Sequence, residues 1–155
     1  MITAVDTNVL LDVVIPDAPQ EDASAQALTE ALSAGATVIS EAVYAELAAH
    51  FTAQEDLDRF LRDTGIRPQP SSSEALYLAG KTWREYLRRR PELLVCPSCG
   101  TRQDMRCVRC ETSFHPRSHV IADFLIGAHA TVHANRMLTR DLGYYRPYFV
   151  GLRLV

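Results

Sequence analysis

Apolar positions along this chain recur at two spacings, and the alternation between them predicts its elements. Residues 2–5 form a short apolar run ending at Asp6, which suits a buried strand. Residues 7–15 place Val9, Leu10, Val13 and Val14 on one face of a helix, which Pro16 and Pro19 stop. Residues 21–34 keep helical periodicity through Ala25, Leu28, Ala31 and Leu32, and Gly35 ends it. A β-branched strand over 37–39 leads to Ser40, the cap of a helix with Val43, Leu47 and Ala48 inward. Leu57, Phe60 and Leu61 mark a further helix that Gly65 stops, and 66–70 suits a short edge strand. Ser71, Ser72 and Ser73 cap a long helix with the stripe Leu76, Ala79, Trp83 and Leu87, stopping near Pro91. Residues 120–133 read as an apolar helix, 136–139 as a strand, 144–149 as a loop or short helix and 152–155 as a closing strand. Strands alternating with helices predict an α/β fold around a mainly parallel sheet.

Residues 95–117 break that alternation and read as an insert in a main domain formed by 1–94 and 118–155. The insert holds all four cysteines, as Cys96-Pro-Ser-Cys99-Gly100 and Cys107-Val-Arg-Cys110. Two C-x-x-C turns direct four thiolates inward, the tetrahedral set that structural zinc takes, and Gly100 permits the turn after the first pair. The expected product is a compact zinc knuckle or ribbon. Disulfides are the alternative in an oxidising compartment, and a redox site needs only one such pair. His115 and His119 find no vacancy beside four thiolates. A peptide this short has too little apolar surface to fold without its metal, so the zinc is read as structural.

Composition bounds the class without naming the chemistry. With 155 residues, 47% hydrophobic and 23% charged, the chain suits one globular domain rather than disorder. The first residues lack the basic stretch of a secretory signal, and the longest apolar runs are too short to span a bilayer. The expectation is a cytoplasmic protein without a membrane segment. The net charge of −3 is unevenly spread: residues 81–118 hold nine basic and four acidic side chains, a local +5 against −8 elsewhere. Arg102, Arg106 and Arg109 of the insert are candidate contacts to a phosphate backbone, as is Arg140. Arg84 and Arg88 to Arg90 read equally well as the solvated end of a helix.

Four acids stand where solubility does not require them. Asp6 and Asp141 directly follow strands, so a parallel sheet brings them to its carboxyl edge. Glu46 and Asp123 reach the same edge from early helical turns, Asp123 amid Val120-Ile-Ala-Asp-Phe-Leu-Ile-Gly127. Gathered carboxylates repel unless cations neutralise them, and hard oxygen ligands suit Mg²⁺ or Mn²⁺. Bland readings exist for three: Asp6 as an N-cap, Glu46 as a solvated position, Asp141 as a turn cap; Asp123, an acid amid apolar residues, needs a partner. Glu41 is explained by the helix dipole. Asp12, Asp17, Glu55, Asp56 and Asp58 read as surface charges, and His129 as packing or surface.

The order Asp6-Thr-Asn8-Val-Leu-Leu-Asp12, Tyr44-Ala-Glu-Leu47, Ala122-Asp-Phe-Leu-Ile-Gly-Ala-His-Ala130 and Leu138-Thr-Arg-Asp141 resembles the PIN-domain nucleases, most closely the VapC toxins of toxin–antitoxin pairs. The resemblance implies a three-layer α/β/α domain cleaving single-stranded RNA with Mg²⁺ or Mn²⁺. It further implies that Asp6, Glu46, Asp123 and Asp141 form the metal site, that Asn8 orients Asp6, and that Thr139 supports the site. A homodimer and an antitoxin partner follow from the same likeness. The cysteine insert departs from the family pattern. The rival reading is an inactive PIN scaffold whose zinc insert binds nucleic acid or protein. A phosphatase of the Asp-x-Asp type fails because position 8 is Asn.

Overall fold

A computed structural model describes residues 1–89, 94–95, 99, 101–103, 105–114 and 121–155. The main domain runs β1 (Ile2–Val5), α1 (Thr7–Val14), α2 (Glu21–Ala34), β2 (Ala36–Ile39), α3 (Glu41–Ala48), α4 (Gln54–Thr64), β3 (Arg67–Pro68) and α5 (Ser73–Arg89). After four short strands come α6 (Ile121–His133), β8 (Arg136–Leu138) and α7 (Leu142–Tyr148). The boundaries follow local chemistry. Asp6 and Ser40 cap α1 and α3 from extended backbone, and Ser72 Oγ accepts from Ala75 N at 3.3 Å before α5. Gly65 ends α4 in the left-handed conformation (φ 77°), which a Cβ would disfavour.

The sheet is parallel in the order β3-β2-β1-β8. The chain steps outward from β1 to β2 to β3 and then returns to lay β8 on the other side of β1. Right-handed crossovers therefore put α1 to α4 on one face and α5 and α6 on the other, giving three layers. The expected closing strand reduces to a bridge of Leu154 beside Met137, and the segment expected as a loop or short helix is α7. Val5, Leu10, Ile39, Val43, Leu47, Phe124 and Met137 are among the residues buried between the layers. α6 approaches closely: a Cβ on Gly127 would stand 2.3 Å from Phe149 Cε2. No helix among the described residues is long and apolar enough to cross a membrane.

Between α5 and α6 the chain forms two small antiparallel hairpins. β4 (Leu94–Val95) pairs with β5 (Arg102–Gln103), and β6 (Met105–Arg106) pairs with β7 (Ser113–Phe114). Each C-x-x-C thus falls between the two strands of one hairpin. Cys96, His115 and His119 lie outside the described residues.

Candidate active site at the carboxyl edge of the sheet

Strand order reverses between β1 and β8, the place where parallel α/β sheets form their sites, and Asp6 and Thr139 directly follow these two strands. Asp6 N donates to Leu138 O at 2.9 Å, which ties the first residue after β1 to the last residue of β8. The Asp6 carboxyl is 5% exposed and densely bonded. Its Oδ1 accepts from Thr7 N at 2.8 Å. Its Oδ2 accepts from Thr139 Oγ1 at 2.7 Å, Asn8 Nδ2 at 2.8 Å and the Tyr145 hydroxyl at 3.3 Å. An oxygen with two lone pairs therefore meets three donors, while Oδ1 keeps room for one more partner. Burial pushes the Asp6 pKa up to about 6 against the lowering effect of Thr139, Thr7 and Tyr145, and the charge of Glu46 raises it further.

Glu46 reaches this acid from the second turn of α3, half-buried, with the Thr7 hydroxyl donating to its Oε2. Asp141 is exposed, and its N–H donates to Thr139 Oγ1 at 3.0 Å. One hydroxyl thus joins Asp6 to the backbone of Asp141. Asp123 is half-buried in the first turn of α6, immediately before buried Phe124. Among the described residues no three His, Cys, Asp or Glu side chains form a group able to hold a metal ion. The direct bonds therefore join Asp6 to Asn8, Thr139 and Tyr145, with Glu46 reached through Thr7.

Arg140 follows Thr139 but turns back onto its own domain. Its Nε lies 2.7 Å from Asp12 Oδ2, and its Nη2 donates to Asn8 O at 3.3 Å. Asn8 Oδ1 also accepts from Arg140 N at 3.3 Å, which leaves Nδ2 for Asp6. Asp12, expected as a surface charge, is 6% exposed, and Ser24 of α2 donates to the same oxygen that faces Arg140. The expectation fails because α2 and the β8 loop fold over its position on α1. Tyr145 carried no signal beyond an aromatic residue in a weakly patterned segment, and Thr7 read only as the start of a helix.

His129 is also corrected from the surface alternative: it is 1% exposed. Its Nδ1 lies 3.2 Å from Ser71 Oγ, and that hydroxyl lies 2.8 Å from Glu41 Oε2, to which it donates. Glu41 also accepts from Ser71 N, so it serves a tertiary contact besides the helix dipole. His133 Nε2 accepts from Ser72 N at 3.0 Å. This network sits at the opposite end of α6 from Asp123.

In the hairpins, Cys99 and Cys110 are exposed and Cys107 is partly buried. Cys107 N donates to Thr112 O and Glu111 N to Cys107 O, with Glu111 at φ 58°. Hydrogen bonds from Thr112, with a further one from Cys107, hold the Cys110 thiol below its ordinary pKa. Arg106 and Arg109 are exposed, while the Arg102 side chain lies outside the described residues.

Residues 3–150 match the family model of the PIN domain. Among solved structures, the chain is similar to the crystal structure of VapBC2 from Rickettsia felis bound to a DNA fragment from their promoter. The two share 18% identity at a TM-score of 0.62, over 100% of this chain and 98% of that one. At that identity the likeness shows a common fold. No curated protein matches the chain.

Proposed function

The chain belongs to the PIN-domain family, and from that premise we propose that it is a metal-dependent endoribonuclease acting on single-stranded RNA as the toxin of a toxin–antitoxin pair. The observation carrying this reading is the buried, multiply bonded Asp6 at the strand-order reversal, coupled to Glu46 through Thr7. A purely structural cap would have no need of a second acid beside it.

Mg²⁺ or Mn²⁺ is the ion proposed for this site. Asp6 and Glu46 offer hard oxygens, and the unfavourable charge that burial places on Asp6 is what a cation would offset. Asp6 and Glu46, with Asp123 and Asp141, would hold the ion. When bound, it would activate water and stabilise charge on the scissile phosphate. Asn8, Thr139 and Tyr145 fix Asp6 Oδ2, which leaves Oδ1, bonded to Thr7 N, as the oxygen with room for a further partner. Thr139 also holds the backbone of Asp141, and Arg140 holds Asn8, so hydrogen bonds tie the loop after β8 to the start of α1.

We assign the insert a structural zinc held by Cys99, Cys107 and Cys110 together with Cys96. The turn carrying Cys107 and Cys110 between β6 and β7, the position of Cys99 between β4 and β5, and the lowered Cys110 thiol support it, since zinc binds thiolate. A homodimer and an antitoxin partner belong to the same proposal.

The test is cleavage of a labelled single-stranded RNA by the full chain with Mg²⁺, with Mn²⁺ and without added divalent metal, beside Asp6→Asn. Zinc content is measured on the same sample. Metal-dependent cutting that Asp6→Asn lacks supports the proposal. Silence from a folded, zinc-loaded chain across several RNAs would replace it with a binding scaffold.

A further inference from the structure

α5 and α6 lie antiparallel. At one end Ser72 N bonds His133 Nε2, and at the other Trp83 and Tyr86 meet Phe124 at ring distances of 5.2 and 5.5 Å. Less than one turn past Tyr86, the end of α5 therefore stands level with the first turn of α6, where Asp123 precedes Phe124. Buried Ala75, Ala79, Thr82 and Tyr86 mark the inward face of α5. The opposite face presents Tyr77, Lys81, Arg84 and Arg88, all exposed, at the four- and three-residue spacing of one helical stripe.

This stripe differs from an ordinary solvated face in three ways. Tyr77 is 76% exposed, an aromatic ring with no burial to account for it. A groove of about 310 Å³ runs along it, lined by Leu76, Tyr77, Gly80, Lys81 and Arg84. Among the described residues no carboxylate lies within ion-pair distance of Lys81, Arg84 or Arg88, whereas Arg140 is matched by Asp12. The nearest acid along this stretch, Glu85, stands four residues after Lys81 but is half-buried and makes no ion pair with it.

We propose that the Tyr77–Lys81–Arg84–Arg88 face of α5 is the docking track for single-stranded RNA, delivering it toward the first turn of α6, which carries Asp123. The inference rests on the nuclease reading and names where its substrate binds. An aromatic ring followed by three cations fits a single strand, whose bases stack and whose phosphates meet the charges. The stripe spans roughly 16 Å at the helical rise. A second copy of this chain is a poor occupant, because a two-fold contact would set like charges against each other.

The experiment measures affinity for a fluorescent single-stranded RNA over a series of salt concentrations, in the full-length, zinc-loaded Asp6→Asn chain, which is chosen to prevent cutting. Adding Lys81→Gln, Arg84→Gln and Arg88→Gln together should lower the slope of log affinity against log salt by about 2. That corresponds to roughly 100-fold weaker binding at 0.1 M salt and little change at 1 M. Tyr77→Ala should weaken binding about 5- to 100-fold with the slope unchanged. Thermal melts should not move, since all four side chains are exposed. Unchanged affinity and slope in the triple variant would overturn the proposal. So would loss of poly-glutamate binding with RNA binding intact, which would assign the face to an acidic protein segment. A wild-type chain that binds RNA through the stripe yet cuts nothing would leave the track standing and remove the nuclease.

Discussion

Replacing His129 with Leu should abolish a specific pH dependence of stability. His129 is enclosed in α6 with Nδ1 against Ser71, while its buried Nε2 has no hydrogen-bond partner among the described residues. Because the Ser71 hydroxyl donates to Glu41, its oxygen is left to accept from Nδ1–H, which assigns the ring as neutral with a bare Nε2. Acid would have to place a proton on Nε2, away from water and without an acceptor. Desolvation, reinforced by His133 and opposed by Glu41, lowers the His129 pKa from 6.5 to about 4. The unfolded chain therefore binds this proton first. Stability is intact above the unfolded value, falls as pH drops below it, and levels off once pH passes the folded value. The loss is about 2 kcal/mol between pH 7.5 and pH 5, and about 3 kcal/mol at completion. Urea denaturation followed by Trp83 fluorescence, on wild type and His129→Leu in parallel, isolates it because other titrations cancel in the difference. The variant should lose about 1 kcal/mol at pH 7.5 from the missing Ser71 bond, and should overtake wild type near pH 6. Parallel stability curves with a constant offset would refute the reasoning, because they would mean that the folded ring binds its proton as readily as the unfolded one.

Gly127→Ala forces its Cβ against Phe149 Cε2 at 2.3 Å, so it should destabilise by about 1–3 kcal/mol in the same denaturation assay. Thr139→Val removes the hydroxyl that joins Asp6 to the Asp141 backbone, and should reduce RNA cleavage about 10- to 100-fold with little change in Tm. Tyr145→Phe, losing only a 3.3 Å bond to an oxygen that already has two shorter donors, should cost less activity than Thr139→Val in the same assay. Arg140→Gln and Asp12→Asn should each destabilise by about 1–2 kcal/mol, the exposed side of Arg140 moderating the effect. Their double variant should lose less than the sum, as read from a double-mutant cycle in urea.

Local signals carried most of the fold in the sequence. Apolar spacing, the caps Asp6 and Ser40 and the stop at Gly65 act within a turn or two of chain, so a linear reading reaches them. The same reading placed Asp6 and Asp141 after strands and the Cys107–Cys110 pair in a turn. Tertiary structure alone decided which polar groups are buried and what they meet. Tyr145 is 139 residues from Asp6, Thr7 is 39 from Glu46, and Ser71 is 58 from His129. Asp12 shows the reason most directly. Its place on α1 leaves it open to solvent until Ser24 and Arg140, from two other parts of the chain, close over it. Periodicity states which apolar side chains must leave water, because burial itself is their driving force. A polar side chain enters the interior only where a distant partner replaces the water it loses, and that partner is supplied by the crossing of elements in space.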